Sequence, residues 1–153
     1  MNFVIDKTVE IRAPASVVWE VITDLAAYPQ WNPFVVECHS TMKPGDAIDM
    51  RVQLFAKPQK QREWMREHVP GRRLSYNMKP APLGALASAR SHEVKAIGGE
   101  RTRYQSHFEL RGWLLPMVRG IMGAKLETGF AGMTEGIRQR AESLWAQRQT
   151  RGA

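Results

Sequence analysis

Two neighbouring segments carry the residue types with the widest chemical use. Over 101–111, Thr102, Tyr104, Ser106, Phe108 and Leu110 alternate with Arg101, Arg103, Gln105, His107, Glu109 and Arg111. The charged set belongs in water, so the first set faces inward. Over 87–97, Glu93 and Lys95 mark the solvent side, which leaves Ser88, Arg90, His92, Val94 and Ala96 inward. Arg90, His92, Tyr104 and Ser106 therefore share one face of two adjacent strands. His92 is the inward residue suited to general-base work, because an imidazole titrates at about 6.5. With Tyr104 polarising a carbonyl and Arg90 holding an anionic group, the set could promote an aldol-type cyclisation or a dehydration. A plainer use stays open: Tyr104 and Ser106 can satisfy each other or the backbone, and Arg90 can sit at a strand end in solvent. The pattern pairs no carboxylate with His92, which weighs against an enzyme.

Other chemistries find no footing. The four histidines, His39, His68, His92 and His107, lack metal-ligand spacing, and no cofactor is called for. Cys38 is the single cysteine, which excludes an internal disulfide and reads as a small apolar strand residue. Neither a glycine-rich phosphate loop nor a nucleophile elbow occurs.

The elements that must position these residues follow from period and punctuation. Residues 2–12 alternate as a strand. Pro14 then opens a short helix with Val17, Val18, Val21, Ile22 and Leu25 as its apolar stripe. Pro29 and Pro33 confine the next helix to about one turn near 26–31, and Asn32-Pro33 fixes a turn. Strands near 34–42, 46–55, 60–69, 72–79, 87–97 and 101–111 are separated by Lys43-Pro44-Gly45-Asp46, Val69-Pro70-Gly71-Arg72 and Ile97-Gly98-Gly99-Glu100. Short connections make neighbours antiparallel. From Leu114 to about Arg148 a helical stripe returns as Val118, Met122, Leu126, Phe130, Met133, Ile137, Ala141 and Leu144. One domain over 1–149 with a loose tail at 150–153 is the expectation.

Several function classes are bounded by composition. No stretch approaches the roughly 20 apolar residues of a membrane span. The opening residues alternate and carry Asp6 and Glu10, unlike a signal peptide, so the cytoplasm is the default compartment. The net charge is +7, and Lys57, Lys60, Arg62, Arg66, Arg72 and Arg73 cluster, interrupted by Glu63 and Glu67. Without exposed aromatics among them, this reads as a solvated basic face and argues against a nucleic-acid partner. It leaves open a weak association with an anionic membrane surface.

The order and spacing of several short motifs carry a resemblance. They are Ala13-Pro14, Val18-Trp19, Asp24, Tyr28-Pro29, Trp31-Asn32-Pro33, Gly98-Gly99…Thr102, Leu110-Arg111-Gly112-Trp113-Leu114-Leu115-Pro116 and Gly129-Phe130…Met133…Ile137…Ala141-Glu142. Together they span nearly the whole chain and resemble the SRPBCC, START-like or helix-grip superfamily, which includes polyketide cyclase/dehydrase-like proteins. The resemblance implies an α+β helix-grip fold: about seven antiparallel strands curved around a long carboxy-terminal helix, with two short helices after the first strand. It also implies that the first strand pairs with the last and that a cavity lies between sheet and helix.

The expected lining is Met50, Val52, Leu54, Tyr76, Met78, Arg90, His92, Tyr104, Ser106, Phe108, Met122, Leu126 and Phe130. Apolar walls with a few polar groups suit a small molecule. Binding of a hydrophobic compound, such as a lipid, isoprenoid or polyketide-like molecule, is the first reading, in a monomer or homodimer. The second is a cyclase- or dehydratase-type enzyme using His92, and the third a partner- or membrane-surface module using the basic face. Trp19 is expected in the core, and Trp31 as a wedge between short and long helices.

Overall fold

The computed structural model describes residues 2–152. Strand β1 (Asn2–Ile11) buries Phe3, Ile5 and Ile11 on one side, as its alternation requires. Pro14 has extended backbone, and its carbonyl accepts the amides of Val17 and Val18, starting α1 (Ala15–Thr23). Helix α1 buries Val17, Val18, Val21 and Ile22, the stripe read from the sequence. A 3₁₀ turn at Leu25–Ala27 leads into α2 (Tyr28–Trp31). The Asn32 Oδ1 then accepts the Phe34 and Val35 amides at 3.0 and 2.9 Å, turning the chain into the sheet.

Six further strands follow: β2 (Val35–Ser40), β3 (Ala47–Val52), β4 (Gln59–Val69), β5 (Arg73–Asn77), β6 (Ala87–Gly98) and β7 (Arg101–Arg111). All pair antiparallel in one sheet of order β1-β7-β6-β5-β4-β3-β2. Register shifts at Val35/Glu37, Met65/Glu67 and Ala96/Gly98 mark bulges, which bend a sheet and increase its twist. The shift after Ala96 accompanies the exposure of that residue, which strict alternation had placed inward.

Helix α3 (Leu115–Arg151) runs 37 residues, about 55 Å at about 1.5 Å per residue. It packs against β1, β7 and α1 and buries Val118, Leu126, Phe130, Met133, Ile137 and Ala141. The helix continues to Arg151, into the segment expected as a loose tail, of which Ala153 lies outside the described residues. Arg148 and Arg151 suit the negative end of the helix dipole, and Arg148 pairs with Glu20 of α1. Among the described residues, no helix is long and apolar enough to cross a membrane.

Two tryptophans sit at the packing between these layers. Trp31 lies against the backbone of Gly136, between α2 and α3, as expected of a wedge. Trp19 is partly buried beside His68, with ring centroids 5.8 Å apart.

Gly129 marks the tightest approach of α3 to the strand side. A Cβ there would lie 2.3 Å from the Phe34 ring, far inside van der Waals contact. Phe34 meets Phe130 edge-on at 4.9 Å and is 3 % exposed, so it has little room to yield. Gly129→Ala is therefore expected to destabilise the fold by about 1–3 kcal/mol, despite alanine's better helix propensity. Urea unfolding measures this; an unchanged or raised midpoint would show that Phe34 moves aside freely.

Candidate ligand-binding cavity

Between the concave face of the sheet and α3 lies a cavity of about 290 Å³. Its walls come from six strands and the first half of the long helix. Phe34 and Val35 stand at the start of β2, Met50 and Val52 on β3, Tyr76 on β5, and Phe108 and Leu110 on β7. Leu54, Met78 and Leu86 flank these strands, Ser88 and Arg90 stand on β6, and Val118, Met122, Leu126 and Phe130 come from α3. The spacing of the last four puts them on one helix face. Gln59, Lys60 and Gln61 are the exposed lining residues and mark the mouth, at the start of β4.

Ten of the expected residues line this space: Met50, Val52, Leu54, Tyr76, Met78, Arg90, Phe108, Met122, Leu126 and Phe130. Three do not. His92, Tyr104 and Ser106 are inward and almost wholly buried, yet they lie outside the cavity lining. Alternation fixes the face of a strand but not what covers it. Helix α1 packs against β6 and β7 and fills part of the concave face.

There the polar residues satisfy one another. His92 Nδ1 lies 2.6 Å from the Tyr104 hydroxyl, and Nε2 lies 3.3 Å from the Tyr76 hydroxyl. A neutral imidazole has one donor and one acceptor, and the two hydroxyls can meet both. Burial, with the nearby Arg90 charge second, holds the His92 pKa well below its usual value. Both ring nitrogens are thus engaged in a neutral, enclosed ring. The general-base role read from the sequence finds no access to the cavity here.

Arg90 bridges this network and the cavity. Its Nη1 donates to the Ser91 carbonyl at 3.1 Å, to Ser106 Oγ at 2.6 Å and to the His107 carbonyl at 3.2 Å. Its guanidinium carbon lies 4.7 Å from the centre of the Phe130 ring. No carboxylate among the described residues lies within ion-pair distance of it.

The one acid on the cavity wall is Glu63, a member by sequence of the charged run at 57–73. On β4, Gln61 and Glu63 line the cavity and Met65 is fully buried. The bulge at Met65/Glu67 then turns Glu67 outward to Arg73. The Glu63 Oε1 is buried without a hydrogen-bond partner. Burial pushes this carboxyl up to about 7, against smaller opposing effects of Gln61 and Arg90. Its neighbours in the run behave as surface groups: Arg62 pairs with Asp49, and Arg73 with Glu67 and Glu93. Cys38 is buried, and desolvation pushes its thiol up to about 12, which leaves it unreactive.

Residues 2–142 match the family model described as polyketide cyclase / dehydrase and lipid transport. No curated protein matches the sequence. Among solved structures, the fold is similar to the Zhui aromatase/cyclase from Streptomyces sp. R1128, with TM-score 0.77, 16% identity, and 93% of this chain and 94% of that chain covered. A START superfamily protein from Mycobacterium smegmatis aligns with TM-score 0.66 and 18% identity, over 94% of this chain and 97% of that one. Norcoclaurine synthase from Thalictrum flavum, as a point mutant with a transition-state analogue, aligns with TM-score 0.69 and 16% identity, over 92% and 94%. At these identities the likeness is one of fold.

Proposed function

Because the chain belongs to the polyketide cyclase / dehydrase and lipid transport family, whose model spans residues 2–142, we propose that it binds a hydrophobic small molecule in its internal cavity. The ligand is of the lipid, isoprenoid or polyketide-like kind, held for storage, transport or sensing. The observation that carries this reading is the cavity itself: about 290 Å³, walled mainly by Phe, Met, Leu and Val side chains. Such a space stays favourable only when filled. A closed and empty apolar void of that size would cost about 7 kcal/mol at about 24 cal/mol per Å³, so water or an apolar molecule occupies it.

A cyclase- or dehydratase-type activity is the second reading, and one observation favours it. A carboxyl that titrates at about 7 can give or take a proton at neutral pH, and Glu63 stands on the cavity wall. In that reading proton transfer falls to Glu63, since His92 does not reach the space.

The first test is native mass spectrometry of the protein purified from a heterologous host, with extraction and identification of whatever is bound. A stoichiometric apolar compound is the expected result. The control is Val52→Trp, at a partly buried position on the lining that pairs with Gln59 at the mouth. The added indole is expected to lower occupancy at least about tenfold while changing stability by less than about 1 kcal/mol. Unchanged occupancy in Val52→Trp would place the compound elsewhere and sink the cavity reading.

A further inference from the structure

The cavity holds two polar groups that are poorly met by the protein. Arg90 is 3 % exposed and has no acidic partner; its Nη1 is fully engaged, its Nη2 donates to the Met133 thioether at 3.7 Å, and its other side-chain neighbour is the neutral Tyr104 hydroxyl. A thioether is a weak acceptor. Glu63 carries an oxygen that is buried and unpartnered. Buried charge and unpaired polar atoms are costly, and a chain that keeps both on a cavity wall has a use for them.

Their separation can be read from the sheet. Met65 pairs with Tyr76, and Tyr76 with Arg90, so Arg90 and Met65 share a row; Glu63 stands two residues along β4 on the same face. Two strand spacings of about 4.8 Å and one two-residue step of about 6.8 Å put the two backbones about 12 Å apart. Tyr76 and Met78 stand on the strand side between them, and Phe108 and Phe130 flank Arg90. Apart from Lys60 at the mouth, the remaining walls add no charge: β3 presents Met50 and Val52, and α3 presents Val118, Met122 and Leu126.

We propose that the cavity is a two-point site for an apolar carboxylic acid bearing a hydroxyl, with the carboxylate on Arg90 and the hydroxyl donating to Glu63. This rests on the reading that the cavity binds a small apolar molecule, and it names the class. The acid supplies the counter-charge that Arg90 lacks, through charge-assisted hydrogen bonds. The hydroxyl supplies the donor that the Glu63 Oε1 lacks. A purely apolar ligand satisfies neither and leaves both groups desolvated.

The test is calorimetric titration at pH 8 with four probes of one bicyclic frame: 6-hydroxy-2-naphthoic acid, 2-naphthoic acid, methyl 2-naphthoate and naphthalene. The acid is expected to bind at least about tenfold tighter than its neutral ester, and the hydroxy acid about threefold tighter again. Glu63→Met is expected to erase the hydroxyl increment and keep that of the acid. Arg90→Met is expected to erase the acid increment and Lys60→Met to keep it; should Arg90→Met not fold, the increment retained in Lys60→Met decides the same point. If all four bind alike, or if the hydroxyl increment survives Glu63→Met, the two-point site is overturned while the apolar cavity reading stands. If none of the four binds, both fall together.

Discussion

Replacing His92 by alanine is expected to lower folding stability by about 3–5 kcal/mol. Two effects add. Deleting a ring that is 0 % exposed leaves a void in the core beneath α1. It also strips the Tyr104 and Tyr76 hydroxyls of their shared partner, at 2.6 and 3.3 Å, and an unmet buried hydroxyl costs about 1–3 kcal/mol. In urea unfolding the midpoint should drop by roughly 2 M with an unchanged slope. A His92→Ala protein that unfolds like the wild type, but loses a cyclase activity, would return His92 to chemistry and overturn its structural assignment.

Glu63→Gln is expected to act in the opposite direction, and its effect depends on pH. The folded pKa of Glu63 is raised from the usual 4.5 to about 7. The folded state therefore binds this proton more tightly than the unfolded chain. Its contribution is fully present below pH 4.5 and is lost as pH rises through about 7. At pH 8 the ionised side chain costs about 3 kcal/mol, a rise of about 2.5 at about 1.4 kcal/mol per pKa unit. Glutamine carries no such charge, so the variant should gain up to that amount at pH 8 and little at pH 4.5.

His92 has the reverse sign. Its folded pKa lies well below 6.5, so the unfolded chain takes up a proton below about pH 6.5 while the folded chain does not. Stability is lost as pH falls. Below about pH 6.5 the two dependences therefore oppose each other. The wild type should thus show a weaker dependence from this pair than either group alone, whereas Glu63→Gln should show stability climbing as pH rises toward about 6.5. Thermal and urea unfolding of both proteins from pH 4.5 to 8 measures this. Parallel curves would mean that Glu63 is ionised in the folded protein at neutral pH.

The fold was legible because its signals are redundant. Period-two runs, three Gly-containing turns and one long helical stripe each constrain the others, and only element ends moved by a few residues. The apolar lining was legible for the same reason: Met50, Phe108, Leu126 and Phe130 lie on faces that the solvent cannot share. The polar part of the site was harder to read. Alternation placed His92, Tyr104 and Ser106 inward but carried no information on where along the strands α1 ends and the empty space begins. Glu63 was obscured by its company. Its strand is charged on both faces, Gln59 to Glu63 contains no apolar residue, and a bulge two residues later shifts the pattern. An acid buried on such a strand leaves no mark in the alternation. The available clue was that Glu63 shares parity with Met65, the first apolar inward residue that follows.

The pairing of β1 with β7 sets an order on how the protein comes into being. Ile11 faces Thr102 across that ladder, so during synthesis the first strand waits for about ninety residues before its partner exists. At about 5–20 residues per second that interval lasts about 5–20 s. Meanwhile the β2–β6 meander can form hairpin by hairpin, because each of its pairings is local. Phe3, Ile5 and Ile11 have nothing to cover them until β7 leaves the ribosome, and α3 follows later still. The roof of the cavity is thus the last part to be made. A nascent chain has an open apolar trough rather than a container, and loading with ligand belongs to the finished protein.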